Sequence, residues 1–339
     1  MIQNDTELDE LLSRPSKQDI AAAAALDGDL VILGAGGKMG PTLALRARRA
    51  VEASGGKSRV IAVARFSNSA IVGQLEGAGI ETIRKDLLEP GALARLPDAP
   101  NIIFMAAMKF GTTGAEHLTW AMNTFLPGLV AERYRHSRIV AFSTGNVYPL
   151  VPIESGGATE DTPAAPVGEY AQSALGRERM FEYGSEKYGT PAAILRLNYA
   201  VETRYGVLAD IARHVYEQQP VDVSMGYVNV IWQGDANSVC FRCLARCVSP
   251  PLLLNLTGAQ TISVRWLAAE FASRFNTEPI IHGQEADTAL LNNSSRMVAE
   301  FGAPPVRIDQ MIDWTAEWIR SGGGSLGKPT HFETRDGRF

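Results

Sequence analysis

Apolar runs of strand length alternate with stretches whose apolar positions recur at helical spacing. Runs rich in Val, Ile, Leu and Ala occupy residues 30–33, 59–64, 101–105, 138–143, 192–197 and 252–256. Helical periods fill residues 41–54, 69–77, 118–134 and 170–188. Strand and helix in alternation predict crossover units, and hence an α/β fold with a doubly wound parallel sheet. After Tyr199 the rhythm changes to longer loops, with amphipathic stretches at 263–275 and 308–320 that predict a smaller carboxy-terminal substrate domain. The divisions expected are an extension at 1–27, a main domain at 28–198, a mainly substrate-binding region at 199–320 and a tail at 321–339. The extension has two short helical patches separated by Ser13-Arg14-Pro15-Ser16, and the 252–256 strand is expected to return to the main sheet. The tail is rich in glycine and charge and contains Pro329; it reads as a surface strap or a partly disordered end.

The first apolar run breaks into Gly34-Ala35-Gly36-Gly37-Lys38-Met39-Gly40 and then resumes at helical spacing. Glycine is needed where the chain turns sharply and where backbone approaches a pyrophosphate, and the amides of the following helix supply donors and a positive dipole end. A glycine-rich loop between an apolar strand and a helix is therefore a phosphate cradle. Gly34, Gly37, Lys38, Met39 and Gly40 are its expected contacts, and 28–198 becomes a dinucleotide-binding domain.

Charge narrows the ligand further. The chain has 32 basic and 37 acidic residues, a net charge of -5, and no long run of either sign, so it lacks the footprint of a nucleic-acid or anionic-membrane binder. No apolar stretch approaches the roughly 20 residues of a membrane span, and Asp5, Glu7, Asp9 and Glu10 precede the Ala-rich 21–26 segment, the wrong charge pattern for a secretory signal. A cytoplasmic protein acting on a small soluble molecule is expected. Cys240, Cys243 and Cys247 fall at i, i+3 and i+7 without a nearby fourth ligand; they read as reduced thiols on a buried helix face, and no metal is expected.

Ligands of doubly wound sheets bind at the carboxyl ends of the strands. The second strand ends in Ala64-Arg65, where an acid would hold the ribose hydroxyls of NAD and an Arg suits a 2'-phosphate; either Arg65, with Lys38 as a second candidate partner, favours NADP over NAD, or both are solvated surface cations. Asp86, followed by Leu87, either pairs with an adenine amine or is an ordinary surface acid. Ala106 and Ala107 are small enough to let ribose and nicotinamide pass, and Lys109 follows them, directed either at the reacting region or at solvent. The next strand ends in Ser143-Thr144-Gly145-Asn146-Val147-Tyr148, and Tyr170 opens a helix.

These segments together resemble the extended short-chain dehydrogenase/reductases of the NAD-dependent epimerase/dehydratase family. The likeness continues through Ile194-Leu195-Arg196-Leu197-Asn198, Leu254-Asn255-Leu256-Thr257-Gly258-Ala259 and Gly302-Ala303-Pro304-Pro305, covering about residues 29–320. It implies a Rossmann fold, with Thr144 hydrogen-bonding the substrate oxygen and Tyr170 as acid/base. It also implies a homodimer in which the Tyr170 and Leu118 helices form a four-helix bundle, with Met180, Phe181 and Tyr183 as compatible apolar positions. The chain departs from the family one helical turn after Tyr170, where Ala174 replaces the Lys that binds nicotinamide ribose and stabilises phenolate. A free phenol has a pKa of ~10, so restoring a near-neutral value takes about 4 kcal/mol of electrostatic help. Three readings follow. Lys109 or Arg177 substitutes for the Lys; or the enzyme works as a reductase in which neutral Tyr170 donates a proton; or the protein is a coenzyme-binding regulator or scaffold without turnover.

On the substrate side, Ser143, Asn146 and Asn198 sit at strand ends where they can bond sugar hydroxyls. Family members that act on nucleotide sugars carry Tyr-Gly-Pro after that Asn and a later Arg for the diphosphate; here stand Tyr199-Ala200-Val201 and Gly226-Tyr227-Val228-Asn229. The missing Arg tilts the expectation towards a free sugar, a sugar acid or a similar polyhydroxylated compound, with Arg204, Arg213 and His214 as remaining candidates for an acidic group. The expected activity is hydride exchange between NADP or NAD and a carbinol or carbonyl carbon of such a substrate.

Overall fold

A computed structural model describes residues 2–109, 114–328 and 330–337. Seven strands form the main sheet: β1 (Leu30–Leu33), β2 (Val60–Ala64), β3 (Glu81–Arg84), β4 (Asn101–Phe104), β5 (Arg138–Thr144), β6 (Ala192–Leu197) and β7 (Leu252–Leu256). Their order is β7-β6-β5-β4-β1-β2-β3, and every pairing is parallel. The order reverses direction between β1 and β4, which opens a crevice at their carboxyl ends. Successive side chains of β1 point to opposite faces: Leu30 and Ile32 pack into one core and Val31 and Leu33 into another. The Gly40–Ala53 helix buries Leu43, Ala47 and Val51 on the first face; Leu126, Val130 and Phe181 fill the second. The strand missed by apolar patterning is β3, whose Glu81 and Arg84 lie exposed at the sheet edge, so it needs no apolar run.

A second core lies beyond β6. The helices Val207–Tyr216, Val264–Phe275 and Ile308–Arg320 pack together around Ile211, Phe271, Ile312 and Trp318. The amino-terminal helices Asp5–Ser13 and Lys17–Ala24 are docked, with Leu8 and Leu12 fully buried. Buried Asp19 accepts hydrogen bonds from Arg46 Nη1 at 2.6 Å and Ser238 Oγ at 2.6 Å, which pins the extension to two helices of the body.

The tail is a strap. Phe332 enters the second core, Thr330 donates from N and Oγ1 to Asp210, and Arg335 donates to Thr288 O and Oγ1. Gly337 passes so close to Gly168 that a Cβ on Gly168 would lie 2.4 Å from Gly337 O. Pro329 lies outside the described residues. The helix expected over 118–134 is interrupted: Glu116–Trp120 and Leu126–Arg133 flank a π-helical turn, Ala121–Phe125. Phe181, counted among the apolar positions of a dimer bundle, is instead a core residue, stacked edge-on against Phe104 with centroids 5.4 Å apart. Leu118, Trp120, Phe125 and Tyr183 are the large apolar side chains exposed on these helices.

Candidate active site

Backbone geometry accounts for the glycine turn. Gly34 has φ +93°, its amide donates to Val63 O at 2.8 Å, and a Cβ there would lie 2.5 Å from Ala106 N. A Cβ on Gly40 would lie 2.3 Å from Ala35 O, so only glycine lets the helix begin against the end of β1. Gly37 is exposed and less constrained; its amide donates to Gly34 O at 3.2 Å. Met39 stands at the N-cap, where its side chain offers no hydrogen bond to the first helical amides. The first helical amides carry the positive end of the helix dipole, the chemistry a bridging phosphate requires. The turn therefore fits a dinucleotide's pyrophosphate.

The neighbouring positions differ in exposure. Ala64 is buried and Arg65 exposed at the end of β2, Ala106 is buried beside Gly34, and Ala107 is exposed. Asp86 Oδ1 accepts from Leu88 N at 3.0 Å, so part of this carboxylate serves its own turn, while Leu87 is buried. Lys38, expected at a coenzyme phosphate, points elsewhere: its amine donates to Ala200 O at 3.4 Å and lies 3.2 Å from the centroid of the Tyr205 ring.

Lys38 thereby reaches a cavity of about 130 Å³ at the mouth of β5 and β6. Its lining includes Lys109, Thr144, Asn146, Tyr170, Asn198, Tyr199, Tyr205 and Thr330. Thr144 Oγ1 donates to Asn146 Oδ1 at 3.0 Å and accepts from Asn146 N at 3.2 Å. Ser143 contributes to the wall, but its hydroxyl donates to buried Glu178 at 2.5 Å, and Glu178 takes Arg196 in two further bonds. Asn198 is similarly committed, donating to Leu290 O at 3.3 Å. Arg204 is tied to Glu202, Asp5 and Asp9, and Arg213 to the carbonyls of Gly323 and Gly324, while His214 is exposed. Tyr199 holds φ +44°, an uncommon backbone region for a bulky residue and one that recurs at working sites.

Tyr170 sits at the start of the Gly168–Tyr188 helix and is hydrogen-bonded with Thr144. Burial pushes its phenol above the ordinary value, while the Arg177 charge and the Thr144 bond pull it down. Ala174 is fully buried in an apolar cluster with Val147, Tyr148 and Leu291. Positive charge arrives by two other routes. Arg177, two turns along the helix, is 2 % exposed and donates to Phe142 O and Asn123 Oδ1, each at 2.8 Å. Asn123 belongs to the π-helical turn and also donates to Met108 O at 2.9 Å and Ser173 Oγ at 3.0 Å, locking the Arg177 cage to the loop that carries Lys109. The Lys109 amine lies 5.9 Å from the Tyr170 ring centroid, and burial pulls its pKa down to about 8.

Cavity residues that sequence reasoning did not single out include Tyr205, Gly206 and Thr330, together with Tyr199 as a wall. Thr330 and Tyr205 lie in segments without periodicity or motif, so nothing local marked them. Asn123 was equally silent inside a helical period, because a π turn leaves no distinct apolar pattern.

Residues 30–226 match the NAD dependent epimerase/dehydratase family. That span exceeds half the chain, and the protein belongs to this family. Among solved structures, similar ones include Pal from Bacillus thuringiensis, 19% identical, covering 86% of this chain and 99% of its own with a TM-score of 0.72. UDP-glucuronic acid 4-epimerase from Bacillus cereus, bound to UDP-glucuronic acid and NAD, is 16% identical with the same coverages and TM-score. dTDP-glucose 4,6-dehydratase from Bacillus anthracis, in complex with NAD, is 16% identical, covers 87% of this chain and 97% of its own, and has a TM-score of 0.73. At these identities the likeness establishes the Rossmann-like fold with a carboxy-terminal domain. No match was found among curated proteins. Among the described residues, no helix is long and apolar enough to cross a membrane.

Proposed function

We propose that the protein is an NAD(P)-dependent oxidoreductase or epimerase acting on a carbinol or carbonyl carbon of a sugar-like or sugar-acid substrate, with Tyr170 as acid/base and Thr144 orienting the reacting oxygen. The observation that carries the reading is the Tyr170–Thr144 hydrogen bond on a cavity wall, flanked by Lys109 and Arg177. A nicotinamide coenzyme, held by the Gly34–Gly40 turn, supplies the hydride when bound. Burial keeps Tyr170 protonated near neutral pH, so its first act is to donate the phenolic proton to the substrate oxygen as the carbon is reduced. Arg177, fixed by Asn123 and Phe142 O, and Lys109 then stabilise the phenolate in a site shielded from water. Lys109 is poised to return a proton, since its amine titrates at about 8. This combines a substitute cation with the reductase direction and assigns Ala174 to packing.

Ala64 and exposed Arg65 at the end of β2 support NADP over NAD, because Arg can pair with a 2'-phosphate. The exposed Leu118, Trp120, Phe125 and Tyr183 support a homodimer, checked by light scattering of the full chain. The direct test of the acid/base is Tyr170→Phe. Turnover should fall by about 10³-fold, within the range of lost general acid catalysis, with coenzyme Kd within about twofold of the parent. Retained turnover would remove Tyr170 from the mechanism.

A further inference from the structure

The turn at 202–205 supplies Tyr205 to the cavity lining and is held from both ends of the chain. Glu202 and Tyr205 exchange backbone bonds, Glu202 N to Tyr205 O at 3.0 Å and Tyr205 N to Glu202 O at 3.2 Å. The Lys38 amine rests 3.2 Å from the centroid of the Tyr205 ring, so the position of the turn decides where this cation sits and how much water reaches it. Arg204, inside the turn, gathers three carboxylates. Its Nε donates to Glu202 at 3.2 Å, Nη1 to Asp5 at 2.8 Å and Nη2 to Asp9 at 3.0 Å. Its carbonyl accepts from Leu326 N of the carboxy-terminal strap at 3.2 Å.

Both aspartates belong to the Asp5–Ser13 helix, which has anchors of its own. Leu8 and Leu12 are buried in the second core, and Ser13 Oγ accepts from Arg49 Nη1 at 2.7 Å. The second oxygen of Asp9 accepts from Gln74 Nε2 at 3.0 Å, so one carboxylate joins the Ser69–Gly77 helix after β2 to the turn beyond β6. An exposed ion pair contributes little, but the Glu202 side chain is only 1% exposed and that of Arg204 14%. Burial pushes the Glu202 carboxyl up and Arg204 pulls it down, and a turn without its guanidinium would strand a buried acid.

Resting on the reading of this cavity as the substrate site of an oxidoreductase, we propose that the amino-terminal helix is part of that site: Asp5 and Asp9 hold Arg204, Arg204 holds the 202–205 turn, and the turn seats Tyr205 against Lys38 on the substrate wall. Arg204 is a positioning residue, acting through Tyr205 and Lys38.

The Lys38 amine reports on this arrangement and can be followed by its Nζ and Cε resonances in the lysine-labelled full chain, assigned with Lys38→Arg. Desolvation dominates its surroundings and lowers it to about 7, with smaller contributions from Glu202, Lys109, Asp210 and Lys328. The deciding variant combines Asp5→Asn and Asp9→Asn, which leaves the cavity lining, Leu8 and Leu12 in place. Through space, loss of two negative charges lowers the midpoint of an amine, whereas a loosened turn admits water to Lys38 and raises it. The midpoint should rise by about one unit or more, and Arg204→Met should raise it as well. A midpoint unchanged or lowered in either variant would overturn the proposal. So would a parent Lys38 that titrates in the ordinary lysine range, a result that decides the matter even where a variant does not fold. A parent chain that binds neither NADPH nor NADH would instead overturn the oxidoreductase reading, while the Lys38 midpoints still show whether the helix positions the wall.

Discussion

The glycine turn and the Tyr170 cavity stand at the same edge of one sheet, yet they are built on different principles. The turn is local: seven consecutive residues, a φ of +93° at Gly34 and contacts of 2.5 and 2.3 Å waiting for any added Cβ determine its path. The cavity is convergent. Its polar groups come from the glycine turn, the ends of β5 and β6, the Tyr170 helix, the loop beyond β4 and the carboxy-terminal strap. A local device tolerates no change of residue at its tight points, whereas a convergent one can lose one member and recover its charge from another direction. In the proposed mechanism, Ala174 with Arg177 and Lys109 is such an exchange.

The comparison breaks most easily at the turn. Gly34→Val forces a β-branched side chain into the left-handed region against Ala106 N, and should cost about 3 kcal/mol of stability and abolish coenzyme binding. Thermal unfolding and NADPH titration measure both; a stable variant that still binds would mean the turn is not the cradle. The cavity offers a sharper contrast through Ala174→Lys. Ala174 is fully buried among apolar side chains, so an added ammonium must be desolvated next to a site already supplied with Arg177. Turnover should drop at least about tenfold, with lowered thermal stability. A faster enzyme would show that the site lacks a cation and that no exchange has occurred. The smallest effect belongs to Arg65→Ala. Being exposed, Arg65 should contribute about a tenfold NADPH-over-NADH preference at most, and its loss should leave structure and turnover intact. Equal affinities for both coenzymes in the parent would refute the NADP assignment.

The same distinction governs what the amino-acid sequence disclosed. Strands 30–33, 192–197 and 252–256 and the 308–320 helix are read at the boundaries observed, because each is buried deeply enough for its apolar residues to carry the period. The edge strand β3 escaped because Glu81 and Arg84 face solvent, and the break at Ala121–Phe125 escaped because a π turn inserts no polar signal. Gly34 and Gly40 are legible since their constraint is a backbone one. Tyr205 and Thr330 carry no local mark; they meet Lys38 and Tyr170 only through tertiary packing. Lys38 illustrates the limit well: its place in the glycine turn suggested a phosphate, while the length of its side chain takes it to a different part of the sheet.

The central claim is that Arg177 and Lys109 supply the charge that Ala174 does not, and the pH dependence of turnover in the reducing direction tests it most directly. Lys109 is charged below its pKa of about 8 and loses that charge as pH rises. The parent rate should therefore be level below that point and fall through it. Lys109→Ala should remove this limb and lower the plateau, and Arg177→Met should lower the plateau by about tenfold or more while leaving the limb in place. Profiles unchanged from the parent in both variants would contradict the account.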